Sequence, residues 1–443
     1  MLREFIEKID KKGIIKCIER PLSIKYEIAI VMKKFDGIPL LFKKVTESPQ
    51  FRIISGIAGS RNLIREALNI KQENLYEKII HAAENPKKPK EVSDAPFLKN
   101  TKDTLKELPI LTHYENDGGP YITAALVYAR DTDTDTQNVS FHRMMVIDDR
   151  HLAIRIVPRH LFTIFKKNKE KGKDTPVTIV IGVHPAVLIS AAYPLEFGMD
   201  ETWMANSLLD GKLEVISSPI NNIEVPSHSE IIIEGFIDCN KEVDEGPFVD
   251  ITGSYDKVRK QPIIEVEKVY FRENPIYHAI LPAGEEHKIL MGMPREVKIW
   301  SFVKQVVPEV KEVSLTSGGC GWLHAVISIR KHTEGDPKNA IIAAFAAHPS
   351  LKHCVVVDDD IDVHNPSDVE WAIATRFQAS EDLIIINNVR GSSLDPSADQ
   401  ETLITTKVGI DATIPLSKRK EDFIKAKPPA EIERKILKIL NKS

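Results

Sequence analysis

Glu245 and Asp250 stand five residues apart in the stretch EGPFVD, on either side of a Gly-Pro step. Two carboxylates held at one site can divide between them the giving and taking of a proton. In a straight strand, however, residues five apart point to opposite faces. Pro247 donates nothing to a ladder and belongs at an edge or a bend. A bend at Gly246-Pro247 would bring both acids to one place. A straight run would leave two solvated acids flanking a turn, the commoner fate of acidic residues. On these six residues alone both readings stand.

A second group could hold a metal. In NVSFHRMMVIDDRHLAIRIVPRH, from Asn138 to His160, alternation puts Asn138, Ser140 and His142 on one strand face and Val139, Phe141 and Arg143 on the other. The segment turns at Asp148-Asp149 and returns as a second strand ending at Arg159-His160, a hairpin that would bring Asn138 and His160 together. An amide oxygen, an imidazole nitrogen and a carboxylate suit Mn²⁺ or Mg²⁺; a strand-end histidine that is only hydrogen-bonded is the plainer alternative. Two other motifs favour structural readings. GGCGW at Gly318–Trp322 reads as a strand-to-strand turn with a small buried thiol before it reads as a nucleophilic Cys320. The acids of VVVDDDIDVH suit a strand-to-helix turn before a magnesium site. The usual phosphate-loop and dinucleotide fingerprints are absent.

These residues need elements to position them. With 443 residues the chain is long enough for two or three domains, and at 42% hydrophobic and 28% charged it is globular. A net charge of -4 argues against nucleic-acid binding through bulk charge. The four scattered cysteines imply reduced thiols in a cytoplasmic protein. The most apolar run, residues 176–195, is broken by Gly182, His184 and prolines, so no membrane insertion is expected. Residues 1–108 alternate helical and strand patterns as an N-terminal α/β domain ending in a Lys- and Pro-rich connection. Residues 109–293 are dominated by strands and suggest a barrel-like domain. Residues 294–443 return to α/β, with EVKIWSFVKQVV as a helix and PPAEIERKILKILNKS as an amphipathic terminal helix.

Together these segments resemble the UbiD family of decarboxylases, which use prenylated FMN. The resemblance covers most of the chain and is densest from Asn138 to Thr413. It rests on Asn138, Arg143 and His160 in order, on Glu201 forty-four residues before Glu245, on EGPFVDITGSY, and on KVGIDAT from Lys407. The resemblance implies a flavin-reductase-like split β-barrel in the middle and a C-terminal α/β oligomerisation domain. It implies that Asn138, His160 and Glu201 bind a divalent metal, Mn²⁺ or Mg²⁺, holding the flavin phosphate, with Asp200 as a competitor for Glu201. K⁺ would sit near Val139, Ser190, Ala191 and Tyr193. The flavin would lie among Val139, Ser140, Phe141, His142, Arg143, Arg159, Ala191, Ala192 and Tyr193, with Lys407 adding charge to its phosphate. Arg143, Glu245 and Asp250 would be catalytic, with Asp250 as proton donor.

The stretch LPAGEEHKILMGMPRE is similar to shorter, archaeal-type members. That likeness implies decarboxylation of trans-anhydromevalonate 5-phosphate to isopentenyl phosphate in an archaeal mevalonate pathway. His287, Lys288 and Arg295 are then expected phosphate partners, with Pro294 as a first helical residue; solvated bases ahead of a helix are the alternative. A 4-hydroxy-3-polyprenylbenzoate or another aromatic or unsaturated acid is the alternative substrate. A flavin-dependent oxidoreductase and a non-catalytic subunit are the rival classes. The implied partners are a carboxylic acid, a flavin prenyltransferase that supplies the cofactor, and further copies of the chain.

Overall fold

The computed structural model describes residues 1–70, 75–426 and 428–440. The first residues of the expected helix ENLYEKIIHAAEN and the last three of the chain lie outside them. Two compact units result. The first comprises Met1–Lys298 with Leu315–His324 and Ser392–Leu403; the second comprises Ile299–Ser314, Ala325–Gly391 and the chain from Ile404 on.

A nine-stranded antiparallel sheet dominates the first unit. From one end it runs Tyr121–Ile122, Met144–Val146, His151–Ile154, Arg259–Phe271, Ile231–Glu245, Thr175–Ile181, Leu126–Arg130 and Gln137–Phe141, with Asn100–Lys102 paired to Arg259–Phe271. Its central strands are rich in β-branched residues, such as Ile231, Ile232 and Ile233 facing Ile181, Val180 and Ile179. Gln137–Phe141 lies at one end of this order and Met144–Val146 near the other, yet only His142 and Arg143 separate them in the chain. Three residue steps span at most about 11 Å. The sheet must therefore curl until its ends approach, which makes it a half-barrel. The hairpin expected over residues 138–160 forms in part: the chain turns at 147–150 and Met144–Val146 pairs with His151–Ile154, but the outgoing arm is broken at His142-Arg143, because Gln137–Phe141 pairs with Leu126–Arg130 at the other end of the sheet.

Helix His160–Glu170 packs on strands Ile231–Glu245 and Thr175–Ile181. Helix Pro185–Ala192 packs on Gln137–Phe141, on Glu201–Leu208 and on Arg61–Leu68. Leu63, Ile64, Val187, Leu188, Met204 and Val139 share one buried core, which joins the N-terminal helices to the sheet. The N-terminal strands Lys16–Ile18, Leu40–Phe42 and Arg52–Ser55 form a second sheet, completed by Ile276–His278.

One expectation is corrected. The helix expected to begin beside Pro294 begins at Glu285 and runs to Lys304, with Pro294 inside it. Proline removes one helical hydrogen bond, but burial of Leu290, Met293 and Val297 in the core carries the helix through. No turn of free N–H groups exists at Pro294.

The second unit holds a five-stranded sheet in the order Val310–Leu315, His324–Ile329, His353–Asp358, Ile404–Ala412, Leu383–Arg390. Helices Asp336–Ala347 and Pro366–Arg376 pack on it. The acids of VVVDDD are paired: Asp358 and Asp360 accept from Arg376, and Asp359 from Arg330. Cys320 lies in the turn between the first two strands of this sheet and is a free thiol.

Candidate active site

The strand Ile231–Glu245 ends its ladder with Glu245 opposite Arg259. Between them the chain projects as a finger. It bends at a cis Gly246–Pro247 peptide, then folds into a short hairpin that pairs Phe248 with Asp256 and Val249 with Tyr255. The bend turns the carboxylates of Glu245 and Asp250 toward one side chain, Arg143, at the break between two sheet strands. Arg143 Nε and Nη2 donate to Glu245 Oε1 and Oε2 at 2.9 and 3.0 Å. Its Nη1 donates to Asp250 Oδ2 at 2.9 Å and its Nη2 to Asp256 Oδ2 at 3.0 Å. The Phe248 ring lies 4.8 Å from the guanidinium carbon.

Glu245 is fully buried, Arg143 nearly so, and Asp250 is the most exposed of the three carboxylates at 19%. Burial works against the Arg143 charge, but the hydrogen bonds and charge of Glu245, with Asp250 and Asp256 behind them, raise its pKa above the ordinary value. A guanidinium has five N–H donors. Four are used here, which leaves one on Nη1, beside Asp250, for a ligand.

Two supports come from Tyr121 and from the turn just before it. The buried Tyr121 hydroxyl donates to Glu245 Oε1 at 3.1 Å. Gly118 N–H donates to Pro247 O at 2.8 Å, and a Cβ on Gly118 would overlap the Gly246 carbonyl. Sequence reasoning missed Tyr121 and Asp256. Asp256 follows EGPFVDITGSY directly and is three residues from Arg259, a spacing that gave a usable signal.

A second cluster joins strand Gln137–Phe141 to the first residues of helices His160–Glu170 and Glu201–Leu208. Glu201 is buried at 3% exposure, and its carboxylate accepts from Asn138 Nδ2 at 3.1 Å and from Val139 N at 2.8 Å. His160 Nδ1 is 3.5 Å from Asn138 Nδ2 and 4.0 Å from Glu201 Oε1. Burial, with nearby Asp200, pushes the Glu201 carboxyl up to about 8 against the hydrogen bond from Val139. Burial and Arg159 push the His160 pKa down, which disfavours its charged form. A buried carboxyl with no cation against it, an imidazole and an amide suit a divalent metal; with one bound, the Asn138 amide would present its oxygen. Among the described residues Asp200 makes no hydrogen bond to Asn138 or His160. Its Oδ1 accepts from Thr202 N at 2.7 Å and caps the helix Glu201–Leu208.

The remaining sequence-predicted residues divide. Ser140 Oγ lies 3.0 Å from His142 Nε2, and His142 Nδ1 lies 2.8 Å from Arg155 O. The carbonyl accepts, so His142 carries its proton on Nδ1. Phe141 is half-buried on the same strand, and Arg159 stands just before helix His160–Glu170. Ala191 and Ala192 end helix Pro185–Ala192 and Tyr193 follows, its N–H donating to Ser190 O at 3.1 Å. Lys407 belongs to the second unit, where Nζ donates to Pro349 O at 2.6 Å and burial pushes its pKa down to about 8.

Of the expected phosphate partners, His287 Nδ1 accepts from Ala283 N at 3.1 Å, and the charges of Asp250 and Arg143 bear on its ring. Lys288 is engaged by Glu285 and Ser317. Arg295 lies over the Trp322 ring and makes no hydrogen bond or ion pair among the described residues. Burial, with Arg159 nearby, pushes its pKa down to about 10.

Comparison with known proteins follows the same chain segments. Three domain models of one family match: the 3-octaprenyl-4-hydroxybenzoate carboxy-lyase N-terminal domain over residues 6–83, its Rift-related domain over 87–285 and its C-terminal domain over 288–412. An anhydromevalonate phosphate decarboxylase of Methanothermobacter thermautotrophicus is 46% identical over 416 residues, covering 94% of this chain and 97% of that one. The UbiD-class enzyme HmfF from Pelotomaculum thermopropionicum, solved in complex with FMN, superposes with a TM-score of 0.94 at 41% identity, over 97% of both chains. An evolved dimeric form of HmfF in complex with prFMN superposes with a TM-score of 0.90 at 40% identity, again over 97% of both.

Proposed function

Since the chain belongs to the UbiD family of carboxy-lyases, we propose that it decarboxylates trans-anhydromevalonate 5-phosphate to isopentenyl phosphate and CO₂ with prenylated FMN. The substrate rests on the 46% identity, over nearly full length, to a relative of that activity. The reaction type rests on Arg143 held between Glu245 and Asp250.

When bound, the prenylated flavin supplies the sink for the electron pair released as the C–CO₂ bond breaks. The chain's own residues do the rest. The remaining Nη1 N–H of Arg143 orients the substrate carboxylate. Asp250, the more exposed acid, delivers the proton to the carbon that loses CO₂. Glu245, buried and tied to Tyr121, keeps Arg143 in place. Asn138, His160 and Glu201 would hold Mn²⁺ or Mg²⁺, which would supply positive charge for the flavin phosphate, and carbonyls near Val139, Ser190, Ala191 and Tyr193 would hold K⁺. Arg295, with no anionic partner among the described residues, and His287 receive the substrate phosphate. Lys288 is a weaker choice, because Glu285 already neutralises it.

A flavin prenyltransferase supplies the cofactor, and the protein works in the cytoplasm as a homo-oligomer. No helix among the described residues is long and apolar enough to cross a membrane. The test is competition between trans-anhydromevalonate 5-phosphate and a 4-hydroxy-3-polyprenylbenzoate, on enzyme co-expressed with a flavin prenyltransferase. The CO₂ released should come from the phosphorylated acid. Turnover of the aromatic acid alone overturns the substrate and leaves the reaction type standing.

A further inference from the structure

The finger carries a third carboxylate, Asp256, to which this reading gives no task. Asp256 stands on the returning strand of the hairpin, opposite Phe248. Its Oδ2 accepts from Arg143 Nη2 at 3.0 Å, its Oδ1 accepts from Arg259 Nη1, and Arg155 Nε lies 3.9 Å away. Arg259 is also the ladder partner of Glu245. Three guanidiniums thus face three carboxylates, and the carboxylates are not equivalent. Asp250 touches one arginine and takes a single backbone N–H, from Ile251. Asp256 is gripped by two arginines with a third at its edge. Burial raises its pKa, but Arg259 and Arg143 outweigh that and hold it below the usual carboxylate range.

A guanidinium follows charge. When Asp250 exchanges its proton with a substrate, the pull on Arg143 Nη1 changes, and Arg143 could pivot about its Glu245 edge. A second anion on Nη2, itself tied down, would stop that pivot. We propose that Asp256, fixed by Arg259, is a positioning residue that anchors Arg143 while Asp250 gives up and regains its proton. The anchor takes its purpose from the decarboxylase reading, but its geometry does not depend on it.

The test uses Asp256→Asn, Asp256→Glu and Arg259→Gln in the full chain, with two measurements. The first is steady-state kinetics and flavin content of the reconstituted enzyme. Asp256→Asn should keep flavin content and KM within about twofold and lose about 10²-fold in kcat, the scale of an ångström-sized misplacement. Asp256→Glu should recover at least about tenfold of that loss, because it restores the charge. Arg259→Gln, whose side chain is 30% exposed, should fold and lower kcat in the same direction. The second measurement needs no cofactor: phenylglyoxal modification of Arg143 in the apoprotein, followed by peptide mass spectrometry. Modification should be at least about tenfold faster in Asp256→Asn and Arg259→Gln, because the guanidinium is less firmly paired.

Wild-type kcat in both variants, or a raised KM with unchanged kcat, overturns the anchor. If Asp256→Asn does not fold, Arg259→Gln decides alone. If the wild-type enzyme releases no CO₂, the decarboxylase reading fails by itself; an unchanged phenylglyoxal rate then still overturns the anchor.

Discussion

Arg143 and Glu245 meet as a two-pronged ion pair, Nε to Oε1 at 2.9 Å and Nη2 to Oε2 at 3.0 Å, with the carboxylate fully buried. Glu245→Gln keeps the shape of that pair but removes a charge and turns one acceptor into a donor aimed at an arginine. Asp250→Asn removes the proposed proton donor and leaves Glu245 in place. Both variants are expected to retain flavin. Each should lose about 10² to 10⁴ in turnover, the usual range for a lost general acid or its orienting group. Flavin absorbance read beside CO₂ release separates the two effects, and unchanged turnover in both would return these acids to a structural role.

Much of this site was legible because its motifs are local. EGPFVD announces two acids and a bend, and the structure places both acids on Arg143. The alternation from Asn138 gave the right faces. The partner of that strand was not legible: the pattern suggested one hairpin to His160, whereas the chain crosses at His142-Arg143 between opposite ends of a curled sheet. Curling depends on long-range pairing, which no window of sequence carries. Pro294 misled for a related reason. Proline signals a helix start locally, but buried Leu290, Met293 and Val297 carry the helix past it. Tyr121 was missed because its role arises only once the finger folds over Arg143, whereas Asp256, directly after EGPFVDITGSY, was overlooked despite a local signal.

If Asn138, His160 and Glu201 hold a metal as proposed, His160→Ala is expected to lose bound Mn²⁺ and flavin together while far-ultraviolet circular dichroism stays unchanged. Asp200→Asn should retain both, because Asp200 caps a helix and, among the described residues, makes no hydrogen bond to Asn138 or His160. Metal analysis by mass spectrometry checks the pair. Loss of metal in Asp200→Asn with retention in Glu201→Gln would reassign the ligand.

Gly118 allows a test of how the finger is held. A Cβ there would overlap the Gly246 carbonyl and press on Met145 Sδ, and a backbone carbonyl cannot swing aside as a side chain can. Gly118→Ala should cost about 1–3 kcal/mol in stability, as overpacking does. It should also lower kcat by more than Gly119→Ala, whose nearest neighbours lie at ordinary contact distance, 3.6 and 3.7 Å. Equal kinetics in the two variants would show that the finger is not seated on this glycine.

His113 sets an acid limit on stability. It is buried, neither ring nitrogen has a partner among the described residues, and burial pushes its pKa down to about 3. In the unfolded chain it titrates near the ordinary histidine value of about 6.5. Between these values the unfolded state binds the extra proton, so folding loses free energy as pH falls through 6.5 and gains it as pH rises. One such histidine removes about 1.4 kcal/mol between pH 7.5 and 5.5. His113→Leu should therefore lose less than the wild type when urea-unfolding midpoints are compared at those two pH values. A wild-type slope in the variant would mean that His113 is paired in solution.

The terminal helix bears on assembly. Ala430–Leu440 forms as the sequence pattern predicts, yet Ile432, Ile436 and Leu437 are 60%, 47% and 51% exposed. A spacing of four puts Ile432 and Ile436 on one stripe with Leu437 at its flank, and an isolated helix of this length is marginal in water without a covered face. A second copy of the chain is the expected cover, since symmetric homo-oligomers are the common solution for such faces. Sedimentation velocity at micromolar concentration should show a dimer or larger species for the wild type. Ile432→Glu with Ile436→Glu should shift it toward the 49.9 kDa monomer without lowering flavin content, because neither residue belongs to the unit that holds Arg143 and Glu201. A wild-type protein that sediments only as monomer would sink the prediction, and so would a double variant that stays fully associated.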